Sequence, residues 1–174
     1  MFLYLIRHGQ SYVNLEEWTD GNKDMGLTPL GQQQAASLAE WVPVHIPRPD
    51  ALYCSTMKRA RETAAPLAAA YGLEPHFDDR VREIGNNQRN HDPFPNDQLP
   101  YQYADFWSTE RPFAPVSTVV ENVEALIHFR ARVGTFIEEL LTKHEKQSVM
   151  VVCHGGVIDM VFDHIFDVGM WRRC

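Results

Sequence analysis

Two short apolar runs constrain this chain more than anything else in it. Phe2-Leu-Tyr-Leu-Ile6 and Val149-Met-Val-Val-Cys153 are continuous, aromatic and β-branched. Continuous rather than alternating hydrophobicity marks strands covered on both faces. Between them the chain alternates strand-like and helix-like segments. That order predicts an α/β fold: a three-layer αβα sandwich whose mostly parallel central sheet carries helices on both faces. The 174 residues suit a single domain over 1–174, long enough to bury a core without a disulfide or a metal staple.

The helices announce themselves at their ends. Thr28-Pro29 reads as an N-cap followed by Pro at the first helical position, opening a helix to about Trp41. A short strand, Ala51–Cys54, follows three prolines. Ser55 or Thr56 then caps a helix to Gly72, kinked or split by Pro66. Extended pieces are expected around 74–77 and 80–84. Residues 86–115 hold five prolines and a cluster of aromatics, which suggests a long lid-like loop with a short helix near 101–109. Ser117 or Thr118 is expected to cap the longest helix, Glu121 completing a capping box if Thr118 is the cap. Its apolar stripe runs Val119, Val123, Leu126, Ile127, Val133, Phe136, Ile137, Leu140 and Leu141. A last helix spans Val157 to about Phe166.

Sixteen Lys and Arg against 23 Asp and Glu give a net charge of −7. Such a balance disfavours nucleic acid and anionic membranes as partners, so any anionic ligand needs a local cluster of cations. Three cysteines without paired spacing point to a reducing, cytoplasmic setting. The first apolar run is cut off by Arg7, too short for a signal core or a membrane span.

Both buried runs end alike, in Arg7-His8-Gly9 and in His154-Gly155-Gly156. Ligand crevices of open α/β sheets lie at the carboxyl ends of strands. Two histidines at such ends, each followed by glycine, can face one crevice. The Ala51–Cys54 strand adds Ser55 and a helix start carrying Lys58, Arg59 and Arg61. A lone histidine after a strand is usually structural, and a charged helix start is usually a solvated face. The convergence of three strand ends outweighs any one of these residues, although spacing alone does not choose among the three cations.

Here the sequence resembles the histidine phosphatase superfamily, the phosphoglycerate-mutase-like enzymes. Leu5-Ile-Arg-His-Gly-Gln-Ser-Tyr-Val-Asn14 is similar to its Arg-His-Gly signature. Asp24-Met-Gly-Leu-Thr-Pro-Leu-Gly-Gln-Gln-Gln-Ala35, Cys54-Ser-Thr-Met-Lys-Arg-Ala-Arg-Glu-Thr-Ala64, Val81-Arg-Glu-Ile84 and Val151-Val-Cys-His-Gly-Gly-Val-Ile158 follow in the family's order. Five such strings in sequence are specific where each alone is weak.

The resemblance implies a metal-independent phosphomonoester hydrolase with no cofactor. His8 would be the nucleophile, forming a phosphohistidine, its ring oriented through the other nitrogen by a backbone carbonyl near Gly9. Arg7, Arg59 and His154 would hold the phosphoryl oxygens, with Asn14, Gly155 and backbone N–H groups near Gly9–Ser11 adding hydrogen bonds. Glu83 would give the leaving oxygen its proton; read alone, a Glu between Arg80 and Arg82 is most often a surface ion-pair partner. A phosphoglycerate-type mutase and a non-catalytic phospho-ligand module are the alternatives, the short chain favouring a phosphatase. The expected ligand is a small phosphomonoester or a phosphorylated peptide. Cys-x5-Arg and Gly-x4-Gly-Lys-Ser/Thr signatures are absent, and Cys153 reads as a small buried strand residue. Two departures from the family stand out. Gln10 replaces the Glu after Arg-His-Gly, removing a charge, and the chain stops soon after the second histidine. The second suggests a truncated C-terminus, or a sheet edge left bare or covered by another subunit in a homo-oligomer.

Overall fold

The two apolar runs become neighbouring strands. In the computed structural model, which describes residues 1–19, 23–100 and 121–168, β1 (Phe2–Arg7) pairs in parallel with β4 (Ser148–Cys153). Strand β2 (Ala51–Ser55) lies on the other side of β4, and the short β3 (His76–Asp78) follows it. The order is β1-β4-β2-β3, and every pairing is parallel.

Side-chain alternation along the strands divides the core in two. Leu3, Leu5, Ala51, Tyr53, Val149, Val151 and Cys153 face the helices α3 (Leu126–Lys143) and α4 (Gly155–Ile165). Tyr4, Ile6, Leu52, Cys54, Met150 and Val152 face α1 (Pro29–His45) and α2 (Lys58–Tyr71). The expected αβα sandwich is therefore the fold. Strand β4, central and apolar on both faces, explains why its run is unbroken. No helix of the described residues is long and apolar enough to cross a membrane.

Several boundaries depart from the sequence expectation. Helix α1 is capped by Thr28, whose hydroxyl accepts the Gly31 N–H at 3.1 Å, but it runs past Trp41 through Pro43 to His45. Helix α2 starts after Met57 rather than at Ser55 or Thr56, and Pro66 sits inside it without splitting it. Ser55 is the last residue of β2. The 80–84 piece is no strand; Asp79–Val81 is a 3-10 turn. The longest helix does not begin near residue 118: α3 starts after Ala125. Tertiary bonds intervene, because Val123 bridges Gln88 and the Glu124 N–H donates to the Asn87 carbonyl at 3.1 Å. Glu121 and Asn122 form a turn, Asn122 with φ +59. The caps proposed at Ser117 and Thr118, and the short helix near 101–109, lie outside the described residues. Helix α4 opens two residues early, at Gly155, with His154 as its N-cap.

Candidate active site

Register builds the site. Arg7 pairs with Cys153, so the residues that follow, His8 and His154, leave adjacent strands side by side. The His8 N–H donates to the Cys153 carbonyl at 3.0 Å. The two rings meet edge to face with centroids 5.1 Å apart. From the next strand, Ser55 brings its Oγ to 2.8 Å from His154 Nε2.

His8 is held as a neutral ring with a defined lone pair. Its Nδ1 lies 2.7 Å from the carbonyl of Gly9, so the proton sits there. Its Nε2 accepts a hydrogen bond from Arg59 Nε at 3.2 Å. Burial, the Arg59 charge and, more weakly, that of Arg7 lower the ring's pKa to about 4, against the pull of the Gly9 carbonyl and of Asp24. Gly9 is needed for close packing: a Cβ there would stand 2.6 Å from the Gly31 carbonyl oxygen of α1. Its N–H donates to Thr63 Oγ1 at 3.1 Å, and Thr63 in turn donates to the Arg59 carbonyl. The backbone of the nucleophile is thus bolted to both α1 and α2.

Arg59 occupies the second position of α2 and is 2% exposed. Its Nη1 stands 3.3 Å from Asp24 Oδ1, charge against charge, yet neither atom has an aligned hydrogen-bond partner among the described residues. Asp24 Oδ2 accepts the Lys58 N–H at 2.6 Å, a carboxylate at a helix N-terminus. Arg7 is exposed, with its guanidinium over Gly155: a Cβ there would be 3.7 Å from Arg7 Nε, an ordinary contact. Lys58 and Arg61 are not part of this cluster. Lys58 pairs with Glu62 on the outer side of α2, and Arg61 stacks over Phe77.

His154 is fully buried, and burial with the nearby Arg59 pushes its pKa well down. Ser55 Oγ accepts the Met57 N–H at 3.3 Å and meets His154 Nε2 at 2.8 Å, a pairing in which the hydroxyl can donate to the ring. With Nε2 accepting from Ser55 the imidazole proton falls on Nδ1, an atom buried with no partner among the described residues. A buried N–H without a partner is the kind of donor an anionic ligand satisfies.

Glu83 is not the surface ion-pair partner that its neighbours suggested. Its Oε1 accepts the Ile84 N–H at 3.0 Å and its Oε2 the Gly156 N–H of α4 at 3.1 Å. The early start of α4 makes that second bond available. Burial raises its pKa; the two N–H bonds and the charges of Arg59 and Arg132 oppose the rise. Arg82, beside it, is buried, and its Nη2 donates to the Phe94 carbonyl at 3.0 Å, tying the 86–100 loop to the strand end.

Asn14 ends the 3-10 turn Tyr12–Asn14 that follows the nucleophile's loop. Its Oδ1 accepts from Ser11 N–H (3.1 Å) and Ser11 Oγ (2.8 Å), leaving its amide NH₂ as the donating end. Gln10, the departure from the family pattern, takes a structural bond: its Oε1 accepts from the Thr28 hydroxyl at 2.8 Å. Cys54 and Cys153 are buried free thiols whose pKa values burial pushes up, Cys54 to about 12. Neither is a poised nucleophile. Asp24, Ser55 and Thr63 act in the site; sequence reasoning placed Ser55 at the third strand end and gave Asp24 and Thr63 no place there. All three stand inside the motif strings, and that was the available signal.

A parallel sheet whose carboxyl edge gathers two neutral imidazoles, two guanidinium groups and two helix N-termini is an α/β scaffold suited to a phosphate dianion. The sequence pattern of the histidine phosphatase superfamily, branch 1, matches residues 3–173. The chain belongs to that superfamily and is a phosphatase of phosphomonoesters. It is 29% identical to the "Putative phosphoserine phosphatase 2" of Hydrogenobacter thermophilus, over 97% of this chain and 80% of that protein. It is 31% identical to a "Probable phosphatase" of Schizosaccharomyces pombe, over 96% and 74%. Among solved structures, the phosphoserine phosphatase of Entamoeba histolytica in complex with 3-phosphoglyceric acid matches with a TM-score of 0.68 at 25% identity, covering 97% of this chain and 81% of that one.

Proposed function

We propose that the protein hydrolyses small phosphomonoesters in two steps, without metal, through a phosphohistidine on His8. The His8 Nε2 lone pair attacks phosphorus as the P–O ester bond breaks, and the Glu83 carboxyl gives its proton to the departing oxygen. Water then attacks the phosphohistidine, Glu83 takes a proton back, and inorganic phosphate leaves. Arg7, Arg59, the Nδ1–H of His154, the Asn14 amide and the backbone at Gly155 hold the three equatorial oxygens. The observation that carries the reading is the neutral His8 ring, proton on Nδ1 and lone pair facing Arg59 Nε at 3.2 Å. An entering phosphoryl group draws that guanidinium onto its own oxygen and bares the nitrogen.

Incubation with para-nitrophenyl phosphate in the presence of a chelator tests this. Turnover with an acid-labile phosphoenzyme, both abolished by His8→Ala, supports the mechanism. Phosphate binding without turnover supports a binding module, and phosphoryl exchange outpacing phosphate release supports a mutase. Residues 86–115 are proposed as the lid of the single domain, selecting the leaving group. Exchanging that segment is expected to change preference among sugar, amino-acid and peptide phosphates more than phosphate affinity. The buried free thiols support a reducing, cytoplasmic setting. Strand β1 at the end of the sheet order supports pairing with a second copy there, which sedimentation would reveal.

A further inference from the structure

Arg132, in the middle of α3, and Glu124, just before it, have no assigned contact with the phosphoryl group, yet both are completely buried. They form a two-pronged pair: Arg132 Nε donates to Glu124 Oε2 at 2.8 Å and Nη2 to Oε1 at 2.6 Å. Burying two charges is recovered only when their remaining donors and acceptors are also matched. Here one stretch of backbone does the matching. Arg132 Nη1 donates to the carbonyls of Arg80 (2.7 Å) and Arg82 (2.8 Å), and Nη2 to that of Glu83 (3.2 Å). Glu124 Oε1 accepts the Gly85 N–H at 3.0 Å.

Beyond the 3-10 turn that contains Arg80, that stretch belongs to no strand or helix. It leaves a 3-10 turn at Val81 and reaches Gly85 with φ +78, a conformation that suits glycine. Apolar residues of equal volume would fill the same space but remove the side-chain partners of the Arg80 and Arg82 carbonyls and of the Gly85 N–H, leaving the Glu83 carbonyl to Asn86 alone. The acid side chain emerges from the middle of the clamped segment and reaches the α4 N-terminus through Gly156.

We propose that the Glu124–Arg132 pair is a positioning device for Glu83. It sets the backbone from which the carboxyl reaches the leaving oxygen, while phosphate binding is left to the strand ends. The inference rests on Glu83 being the proton donor. It separates two esters. The nitrophenolate of para-nitrophenyl phosphate departs with little help, whereas the alkoxide of glycerol phosphate needs the proton.

Two variants test it, Glu124→Leu/Arg132→Met, which leaves no unpaired buried charge, and Arg132→Lys, which keeps the charge but loses the fork. In whichever variants unfold cooperatively, kcat/KM for glycerol phosphate is expected to fall by about tenfold or more, part of the roughly 10²–10⁴-fold that acid catalysis supplies. The value for para-nitrophenyl phosphate should fall less than about threefold, with inhibition by inorganic phosphate unchanged. Arg132→Lys is expected to retain more glycerol phosphate turnover than the apolar pair. Equal losses for both esters, or no loss for either, would overturn the positioning role. Glu83→Gln in the same assay keeps the two readings apart: if it shows no leaving-group dependence, Glu83 is not the proton donor and the inference falls with that reading.

Discussion

An imidazole attacks phosphorus only with an unprotonated nitrogen, and the surroundings of His8 keep it unprotonated far into acid. Burial is the larger cause and Arg59 the second. With its pKa near 4, the nucleophile stays available across the mildly acidic range, where an ordinary histidine would be charged. Glu83 moves the other way, its proton retained above the ordinary carboxylate range by burial. The activity profile is therefore expected to have an acid limb from His8 near pH 4 and an alkaline limb from Glu83. Glu83→Gln should remove the alkaline limb and leave the acid one, which a series of kcat/KM against pH would show. Stability has the matching sign. Below its ordinary pKa the unfolded His8 binds a proton that the folded ring refuses, so stability falls as pH drops from about 6.5 to about 4. The loss is on the order of 3 kcal/mol over that range, and His8→Ala should flatten this part of the curve in denaturant titrations. At this scale His8, Arg7, His154, Arg59 and Glu83 were legible as residue types in a family order. The roles of Asp24 and Ser55 were not, because a capping carboxylate and a hydroxyl that sets a tautomer look like ordinary polar residues until their partners arrive from distant segments.

Elements bring those partners. Helix α2 presents Arg59 at its N-terminus because Asp24 caps it and counters the guanidinium across 3.3 Å. Asp24→Asn keeps the cap but strips the counter-charge from a buried arginine. The unliganded protein is expected to lose on the order of 3 kcal/mol, and inorganic phosphate, which supplies the missing charge, to bind more tightly. Calorimetry with and without phosphate checks both. Helix α1 meets the nucleophile's loop backbone to backbone: a Cβ on Gly31 would overlap the Gln10 carbonyl. Alanine is the better helix former by up to about 1 kcal/mol. In Gly31→Ala, however, overpacking should dominate, destabilising the protein by roughly 1–3 kcal/mol and lowering kcat as His8 shifts. An unchanged denaturation midpoint with full turnover would refute the contact. The helix ends that obeyed local chemistry, Thr28-Pro29 above all, were readable. The start of α3 was not, since bonds from Asn87 and Gln88 hold residues 123 and 124 out of the helix.

Across the entire fold, one central strand orders everything. Strand β4 lies between β1 and β2, fully buried but for Ser148, and its two faces seed the two halves of the core. The site closes over the ends of these three strands, so filling it should stabilise the protein globally. Phosphate at a hundred times its dissociation constant is expected to add about 2.7 kcal/mol to unfolding. An unchanged Tm in wild type, with binding shown separately, would contradict that coupling. The α/β architecture could be read from residue order, because apolar periodicity and strand endings are local and survive in one dimension. So could the family, because five short strings keep their order. Three-dimensional packing alone settled that Asp24 caps α2 beside Arg59, that Ser55 meets the His154 ring, and that a buried pair from α3 and the residues just before it braces the segment carrying Glu83. Each of those depends on hydrogen bonds between residues tens of positions apart, and such bonds have no signature in sequence until register and packing bring the partners within reach.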